Sequence, residues 1–238
     1  LRHGIIIRGS LPYYVNGFAI KLVTFLKPSV LKDKKTITEA YEIDKTPFYI
    51  IGRSISALYS VLEIIILFFL GKLLFSIRVG LLSAFFVGIS SLSIEYSHLV
   101  APDTALSFTI LLTIYITFLA YKYNKLILYL ISAFFVGVSA AQKLPGLLIL
   151  PLFLIIFIFS KLFRRLTIIK KVTYLLTFIL CIFLAYWLSY PYLFIDKKEF
   201  IKQWISESGT SFAWGEIIIR NIGIFGRANK YIFQWLHY

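Results

Sequence analysis

The segment Ser97-His98-Leu99-Val100-Ala101-Pro102-Asp103-Thr104 is a short polar island between two long apolar runs, 79–94 and 105–120. A helix of about 20 apolar residues crosses the hydrocarbon core of a bilayer, so these runs predict two membrane helices joined by a tight turn. Pro102 suits the turn because it lacks an N–H and disfavours the α conformation in the residue before it. Asp103 would then lie at the N-cap or in the first turn of the second helix, where the helix dipole favours a carboxylate.

The composition extends the membrane interpretation to the whole chain. Of its 238 residues, 59% are hydrophobic and 18% aromatic, only 15% are charged, and the mean hydropathy is +0.84. A water-soluble domain of this size cannot bury so much apolar surface, so the chain is expected to be an integral membrane protein. The net charge of +14 is explained first by basic loops that orient the helices, so no nucleic-acid partner is expected. The single cysteine, Cys181, lies in an apolar run and excludes an internal disulfide.

The apolar runs predict an all-α polytopic bundle with about six membrane spans. These spans are expected at 47–70, 79–96, 104–121, 126–142, 145–160 and 172–190. Basic residues concentrate in alternate loops, at 71–78, 121–125 and 161–171. The positive-inside rule places those loops in the cytoplasm, and the 97–103 and 142–145 turns therefore lie outside.

The chain is expected to divide into three parts. Residues 1–46 are predicted to belong to an external loop with an interfacial helix at 11–26, and residues 47–190 form the helix bundle. Residues 191–238 contain three Trp among scattered charges, which is typical of a segment at the outer membrane surface. A chain that contains no Met and begins at Leu1 is expected to lack its own N-terminus, and its last segment is expected to be truncated.

An eight-residue pattern occurs twice. Ser83-Ala84-Phe85-Phe86-Val87-Gly88-Ile89-Ser90 recurs at 132–139 with one change, from Ile to Val. Each copy belongs to a series of small residues at four-residue spacing, namely Gly80, Ala84 and Gly88 in one case and Ala133, Gly137 and Ala141 in the other. That spacing lets helix backbones approach closely, so both helices are expected to pack tightly and to present their outer ends together. Eight positions do not establish a duplicated domain.

Polar residues gather at the predicted outer ends of the helices: Arg53, Glu95, His98, Asp103, Gln142 and Lys143. Cations mixed with carboxylates suit an anionic lipid headgroup, because Lys and Arg hold phosphate oxygens while carboxylates hold hydroxyls or act as bases. The three histidines show no zinc-ligand spacing, and no serine has the context of a hydrolase nucleophile. Glu63, within the first span, either faces a cavity or partner, or is a protonated group bonded to a neighbouring helix.

Three parts of the sequence together resemble one known family. Arg53 lies early in the first span, residues 96–103 (YSHLVAPD) form one external turn, and residues 137–146 (GVSAAQKLPG) lead into the other. In this order they are similar to the GT-C-type membrane glycosyltransferases, and most of all to the dolichyl-phosphate-mannose protein mannosyltransferase and lipid A aminoarabinose transferase group. The resemblance covers about residues 8–200. It departs from the family at Gln142, where the family has Thr before Lys, and at His98, which replaces an Arg.

The resemblance implies a GT-C-like fold and inverting transfer of a hexosyl or mannosyl group from a polyprenyl-phosphate donor. The acceptor would be a hydroxyl of a protein, lipid or glycan at the outer face of a membrane, with the plasma membrane of a prokaryote expected. Donor-binding residues would be Arg53, Glu95, His98, Asp103 and Lys143. The family's catalytic acidic residue lies in its first external loop, so the base is expected upstream of Leu1 and no residue present is assigned that role. No cofactor and no metal ligands are implied, while help from a divalent cation stays open.

Two other classes stay open at the level of sequence. A multi-pass transporter or lipid flippase would also place a charge such as Glu63 inside a helix, but transporters usually carry matched broken helices near the midplane. Here the Pro and Gly breaks cluster at the predicted helix ends. A non-enzymatic membrane scaffold is the third class, and the polar cluster at one surface counts against it. The sequence therefore favours the transferase.

Overall fold

The structure, a computed structural model, describes residues 10–31 and 36–189. All regular elements in these ranges are helical: α1 (Ser10–Leu26), a 3-10 turn (Pro28–Leu31), α2 (Ile37–Ile43), α3 (Thr46–Leu74), α4 (Ile77–Gly88), α5 (Ser91–Ser97), α6 (Asp103–Tyr123), α7 (Leu126–Gln142), a second 3-10 turn (Leu144–Leu148), α8 (Ile149–Ile158), α9 (Lys161–Arg164) and α10 (Ile168–Ser189). The prediction of an all-α membrane bundle is thereby confirmed. The predicted surface segment, 191–238, lies outside the described residues.

The number of spans is smaller than expected in the described part of the chain. Three helices are long and apolar enough to cross a membrane, namely α3, α6 and α10, and α4 with α5 makes a fourth if the bent pair counts as one span. Helix α7 has 17 residues and a length of about 25 Å, which is short for a hydrocarbon core of about 30 Å. The apolar helical stretch Pro145–Ile158, which combines most of the second 3-10 turn with α8, is shorter still. The prediction of about six membrane spans is therefore not confirmed.

The predicted continuous helix over 79–96 is wrong, because the chain bends by 62° between α4 and α5. Helix α4 ends at Gly88, and Ser90 adopts an extended conformation as the N-cap of α5. The sequence there is Ser90-Ser91-Leu92-Ser93, and serine hydroxyls compete with the helix ladder for backbone groups. The same local polarity makes the segment suitable for lining a cavity rather than for crossing lipid.

The loop predicted over 27–45 contains a helix that the sequence interpretation missed. Helix α2 begins after Thr36, whose side chain accepts a hydrogen bond of 3.2 Å from the backbone N–H of Glu39. Thr36 and Glu39 have the spacing of a capping box, which is a sequence signal for a helix start. Helix α3 follows at once and has Pro47 in its first turn, where the missing N–H costs nothing.

The core forms around α7, which packs between α6 and α10. Tyr129 of α7 meets three buried phenylalanines, and the ring centroids of Tyr129 and Phe157 are 5.0 Å apart in an edge-on arrangement. Phe178 of α10 lies 4.8 Å from Phe157 and 5.3 Å from Phe153. Edge-to-face contacts of this kind add to the stabilisation from burial alone.

Small residues bring helix backbones together at two crossings. A Cβ atom on Gly137 of α7 would overlap the carbonyl oxygen of Ile182 in α10, so only glycine fits there. A Cβ on Gly71 of α3 would lie 2.8 Å from the Cα of Gly80 in α4. Gly88 differs, since an added Cβ would make only an ordinary contact of 3.6 Å with Ile64. Close packing therefore involves part of each predicted small-residue series.

Candidate functional site

An ion pair joins the beginning of α6 to the residue after α7. Lys143 Nζ lies 2.9 Å from Asp103 Oδ1, with 47% and 37% of the two side chains exposed. The helices are antiparallel neighbours joined by the short turn at Asn124 and Lys125, so the start of one lies beside the end of the other. The positive charge of Lys143 is thus paired with a carboxylate. A pair this exposed stabilises the fold by about 1 kcal/mol at most, so stability alone does not explain it.

Asp103 is the first residue of α6, and Pro102 occupies the N-cap position. Of the two places that the sequence allowed, the first turn is correct and the N-cap is wrong. The carboxylate therefore lies beside the free N–H groups at the positive end of α6, where an acidic side chain stabilises the helix.

His98 ends α5 and bonds to its own helix. Its Nδ1 lies 2.7 Å from the carbonyl oxygen of Ile94 and 3.2 Å from Ser97 Oγ. Because a carbonyl only accepts hydrogen bonds, Nδ1 carries the proton in this contact and Nε2 is left for another partner. The ring caps the C-terminal end of α5.

Arg53 and Glu95 are exposed on α3 and α5. Arg53 follows Gly52, where an added Cβ would lie 2.9 Å from Val100, so it is level with the turn that precedes α6. Within the described ranges no hydrogen bond or ion pair connects Arg53, Glu95 or His98 to the Asp103–Lys143 pair. The structure brings together two of the five predicted donor-binding residues, and the roles of all five stay predictions.

A cavity of about 370 Å³ opens between α3, α5 and α6, and Asp103 lies on its wall. The walls also include Ser60 and Glu63 from α3, Tyr96 from α5, and Thr104 and Ser107 from α6. This volume is in the range of sites for small organic molecules. We call this space the α3–α6 cavity.

Glu63 reaches the α3–α6 cavity and also bonds to a neighbouring helix. The hydroxyl of Ser107 donates to Glu63 Oε1 at 2.5 Å. Both features anticipated for this residue, a cavity and a partner on another helix, therefore occur together. Ser107 lies only four residues into α6, about 6 Å along its axis, so Glu63 is level with the first turn of that helix. A carboxylate at this level is close to polar surroundings, which makes its position within α3 tolerable.

The polar residues of this cavity that the sequence interpretation missed include Ser60, Thr104 and Ser107. The signal available was helical spacing, because Ser60 and Glu63 are three apart on α3, as are Thr104 and Ser107 on α6. Such pairs lie on one face of a helix, but the sequence does not show which faces meet.

The donor set was also compared with what a metal ion requires. Within the residues that the structure describes, no three side chains of His, Cys, Asp or Glu lie close enough together to hold an ion. Glu63 and Asp103 share the α3–α6 cavity, but Asp103 is already paired with Lys143. Help from a divalent cation, which the sequence left open, therefore stays an open prediction.

Comparison with protein families gives one match. The family model described as dolichyl-phosphate-mannose-protein mannosyltransferase matches residues 50–190, which is more than half of the chain. The chain belongs to this family. No curated protein and no solved structure matches it.

Membership makes this protein a GT-C-type membrane glycosyltransferase at the level of the family. It confirms the resemblance seen in the sequence and favours the transferase over the transporter and scaffold alternatives. The matched region runs from the first turns of α3 past the end of α10. It therefore contains the ion pair, the α3–α6 cavity and all five predicted donor-binding residues of this family member.

Proposed function

We propose that this mannosyltransferase-family protein transfers a sugar, with inversion, from a polyprenyl-phosphate donor to an acceptor hydroxyl at the outer membrane face. The observation that carries the proposal is the Asp103–Lys143 pair on the edge of a polar cavity. An ammonium group has three N–H donors, and Asp103 takes one of them. The remaining two can hold the oxygens of a lipid phosphate while Asp103 fixes the position of Lys143.

In this mechanism the phosphate is the leaving group, and Lys143 stabilises the negative charge that grows on it as the bond to the sugar breaks. A carboxylate base takes the proton of the acceptor hydroxyl, which attacks the sugar carbon from the opposite side. By resemblance to the family, that base belongs to the first external loop, and we assign it to no described residue. Asp103 serves as a positioning residue because its carboxylate is engaged by Lys143.

The test is transfer from a polyprenyl-phosphate sugar by the full-length protein in proteoliposomes. We expect Lys143→Ala to raise the KM for the donor about tenfold or more, because it removes a charge-assisted contact to phosphate. Lys125→Ala is the matched control, since Lys125 is an exposed cation next to the opposite end of the same helix. Equal kinetics for Lys143→Ala, Lys125→Ala and the parent protein would overturn the role of Lys143.

The location of the site at the outer face has a separate test. In a Cys181→Ala background, a membrane-impermeant thiol reagent applied from outside should label Ser97→Cys but not Arg165→Cys. Ser97 ends α5 next to the cavity, whereas Arg165 follows α9 in the basic loop. The positive-inside rule is the reason for the expected difference. Labelling of Arg165→Cys alone would place the cavity on the cytoplasmic side.

A further inference from the structure

We propose that the α3–α6 cavity binds an uncharged polyhydroxyl group, the sugar ring of one of the two substrates, through Glu63, Ser60 and Thr104. The substrate class rests on the proposed function, whereas the site itself is inferred from the cavity. Ser60 and Thr104 line the cavity and are only 7% and 4% exposed. Their hydroxyl oxygens have no hydrogen-bond partner among the described residues.

A buried hydroxyl without a partner is destabilising by about 1–3 kcal/mol, so two of them in one cavity indicate that a ligand supplies the missing bonds. Their arrangement is regular. Ser60 and Glu63 are one helical turn apart on α3, and Thr104 and Ser107 are one turn apart on the facing helix α6. Ser107 donates a hydrogen bond to Glu63 on the other helix. Ser60 and Thr104, one turn away on the same two helices, make no such bond.

The third wall comes from α5 and the bend before it. Ser90, Ser93 and Tyr96 line the cavity at three-residue spacing, so they follow one face of this short helix. Ser90 is the N-cap of α5, yet its hydroxyl makes no capping bond to the helix. The tyrosine adds an aromatic surface against which the apolar face of a sugar can pack.

The charges of the lining residues determine which kind of ligand the cavity can bind. Among the described residues that line the cavity, Glu63 and Asp103 carry a charge, and none is Lys or Arg. These carboxylates would repel a phosphate from the interior, and Lys143, the cation that attracts phosphate, pairs with Asp103 but is not itself among the lining residues. Hydroxyls both donate to carboxylates and accept from Ser and Thr, so a sugar ring complements this lining better than an anion does. The arrangement places a sugar inside and a phosphate outside, at Lys143.

The test uses Thr104→Val, which removes one hydroxyl at nearly constant shape, and Ser60→Ala. Its matched control is Thr113→Val, the same change at a buried residue of α6 that does not line the cavity. In the full-length protein we measure the KM of the sugar-lipid donor, the KM of the acceptor, and inhibition by polyprenyl phosphate without a sugar. We also measure the rise in melting temperature that a methyl hexoside produces, which does not depend on catalysis.

We expect Thr104→Val and Ser60→Ala to raise one KM about three- to tenfold, as for the loss of one hydrogen bond. Inhibition by the sugar-free lipid phosphate should be unchanged. A raised KM for the donor would identify the donor's sugar as the ligand of the cavity. A raised KM for the acceptor would identify a sugar of the acceptor as that ligand. The hexoside should raise the melting temperature of the parent protein and of Thr113→Val more than that of Thr104→Val.

Unchanged KM values in both cavity variants, together with no difference in the hexoside response, would overturn the proposal and leave a cavity that holds water only. This result differs from a failure of the proposed function. If the proposed function is wrong, the parent protein transfers nothing from a polyprenyl-phosphate donor. The rise in melting temperature that the hexoside produces, and its loss in Thr104→Val, then still test whether the cavity binds a sugar.

Discussion

The two copies of the eight-residue pattern have the same local sequence and different surroundings. In α4, residues 83–90 leave Phe85 and Phe86 59% and 63% exposed on the surface of the bundle. In α7, residues 132–139 are largely buried, with Ser132, Val136 and Ser139 fully inaccessible. Both copies form helix over their first six residues, so the local sequence specifies the element there, whereas the neighbouring helices determine what each residue contacts.

The copies also end differently, because different residues follow them. The first helix stops at Gly88, and Ser90 begins a new helix after the bend. The second continues through Ala140 and Ala141 to Gln142. Alanine has the highest helix propensity and serine favours caps, so the residues after each copy account for the difference. One pattern therefore supplies a core helix in one place and a cavity wall in another.

The largest expected difference between the copies is at the equivalent glycines. Gly137→Ala would drive a methyl group into the carbonyl of Ile182 and force α10 away from α7. We expect a loss of about 1–3 kcal/mol or more. Gly88→Ala meets only the end of Ile64 and gains helix propensity, so its stability should change little. Melting temperatures in detergent or nanodiscs measure both, and similar losses in the two variants would contradict the packing described for the second copy.

A smaller difference is expected at the first serine of each copy. Ser132 Oγ lies 2.5 Å from Thr117 Oγ1 of α6, whereas Ser83 is half-buried and makes no hydrogen bond among the described residues. Ser132→Ala should be less stable by about 0.6 kcal/mol, the average for hydrogen bonds between membrane helices, and by about 1.7 kcal/mol at most. Ser83→Ala should be neutral. The measurement is the free energy of unfolding in mixed micelles. An unchanged value for Ser132→Ala would show that this hydrogen bond makes no net contribution to stability.

The smallest expected effects are at the last serine of each copy, where they differ in kind. Ser139 is buried and bonds to Phe135 of its own helix, so Ser139→Ala should lower the melting temperature slightly and leave the KM values alone. Ser90 lines the α3–α6 cavity, so Ser90→Ala should raise a substrate KM about threefold at an unchanged melting temperature. The check is to measure the melting temperature and the KM values of both Ser139→Ala and Ser90→Ala. A lower melting temperature with normal kinetics in Ser90→Ala would remove it from the cavity wall.

Much of the helical architecture could be predicted because apolar run length and turn residues are local signals. The bounds expected at 126–142 are those of helix α7, although this helix is short for a membrane span, and Pro47 is in the first turn of α3. The errors occurred where serines, or a Pro-Gly pair, interrupt apolar runs. The serines at 90–93 bend the chain, and a 3-10 turn at Leu144–Leu148 precedes α8 in the span expected at 145–160.

Less of the candidate site could be predicted, because it depends on which helix faces meet. The sequence singled out Asp103 and Lys143 at the outer surface and Glu63 within a span, but it gave no partner for any of them. Ser60 and Thr104 are ordinary residues in a membrane helix, and only the rotation of α3 against α6 places both on one cavity. Interhelical rotation is a tertiary property that a single sequence does not encode in any short pattern.

The threonines of α6 have a consequence for how the protein is made. Thr113 and Thr117 donate to the carbonyls one turn earlier, at 2.6 and 2.7 Å, and Thr109 donates to Leu106 at 3.0 Å. Each hydroxyl is therefore satisfied by its own helix before any neighbour arrives, as the hydrocarbon core requires of an isolated segment. We therefore expect α6 to be stable in lipid without a neighbour. The contact of 2.5 Å between Thr117 Oγ1 and Ser132 Oγ can form only once α7 packs against it, so this contact would orient the two helices at docking.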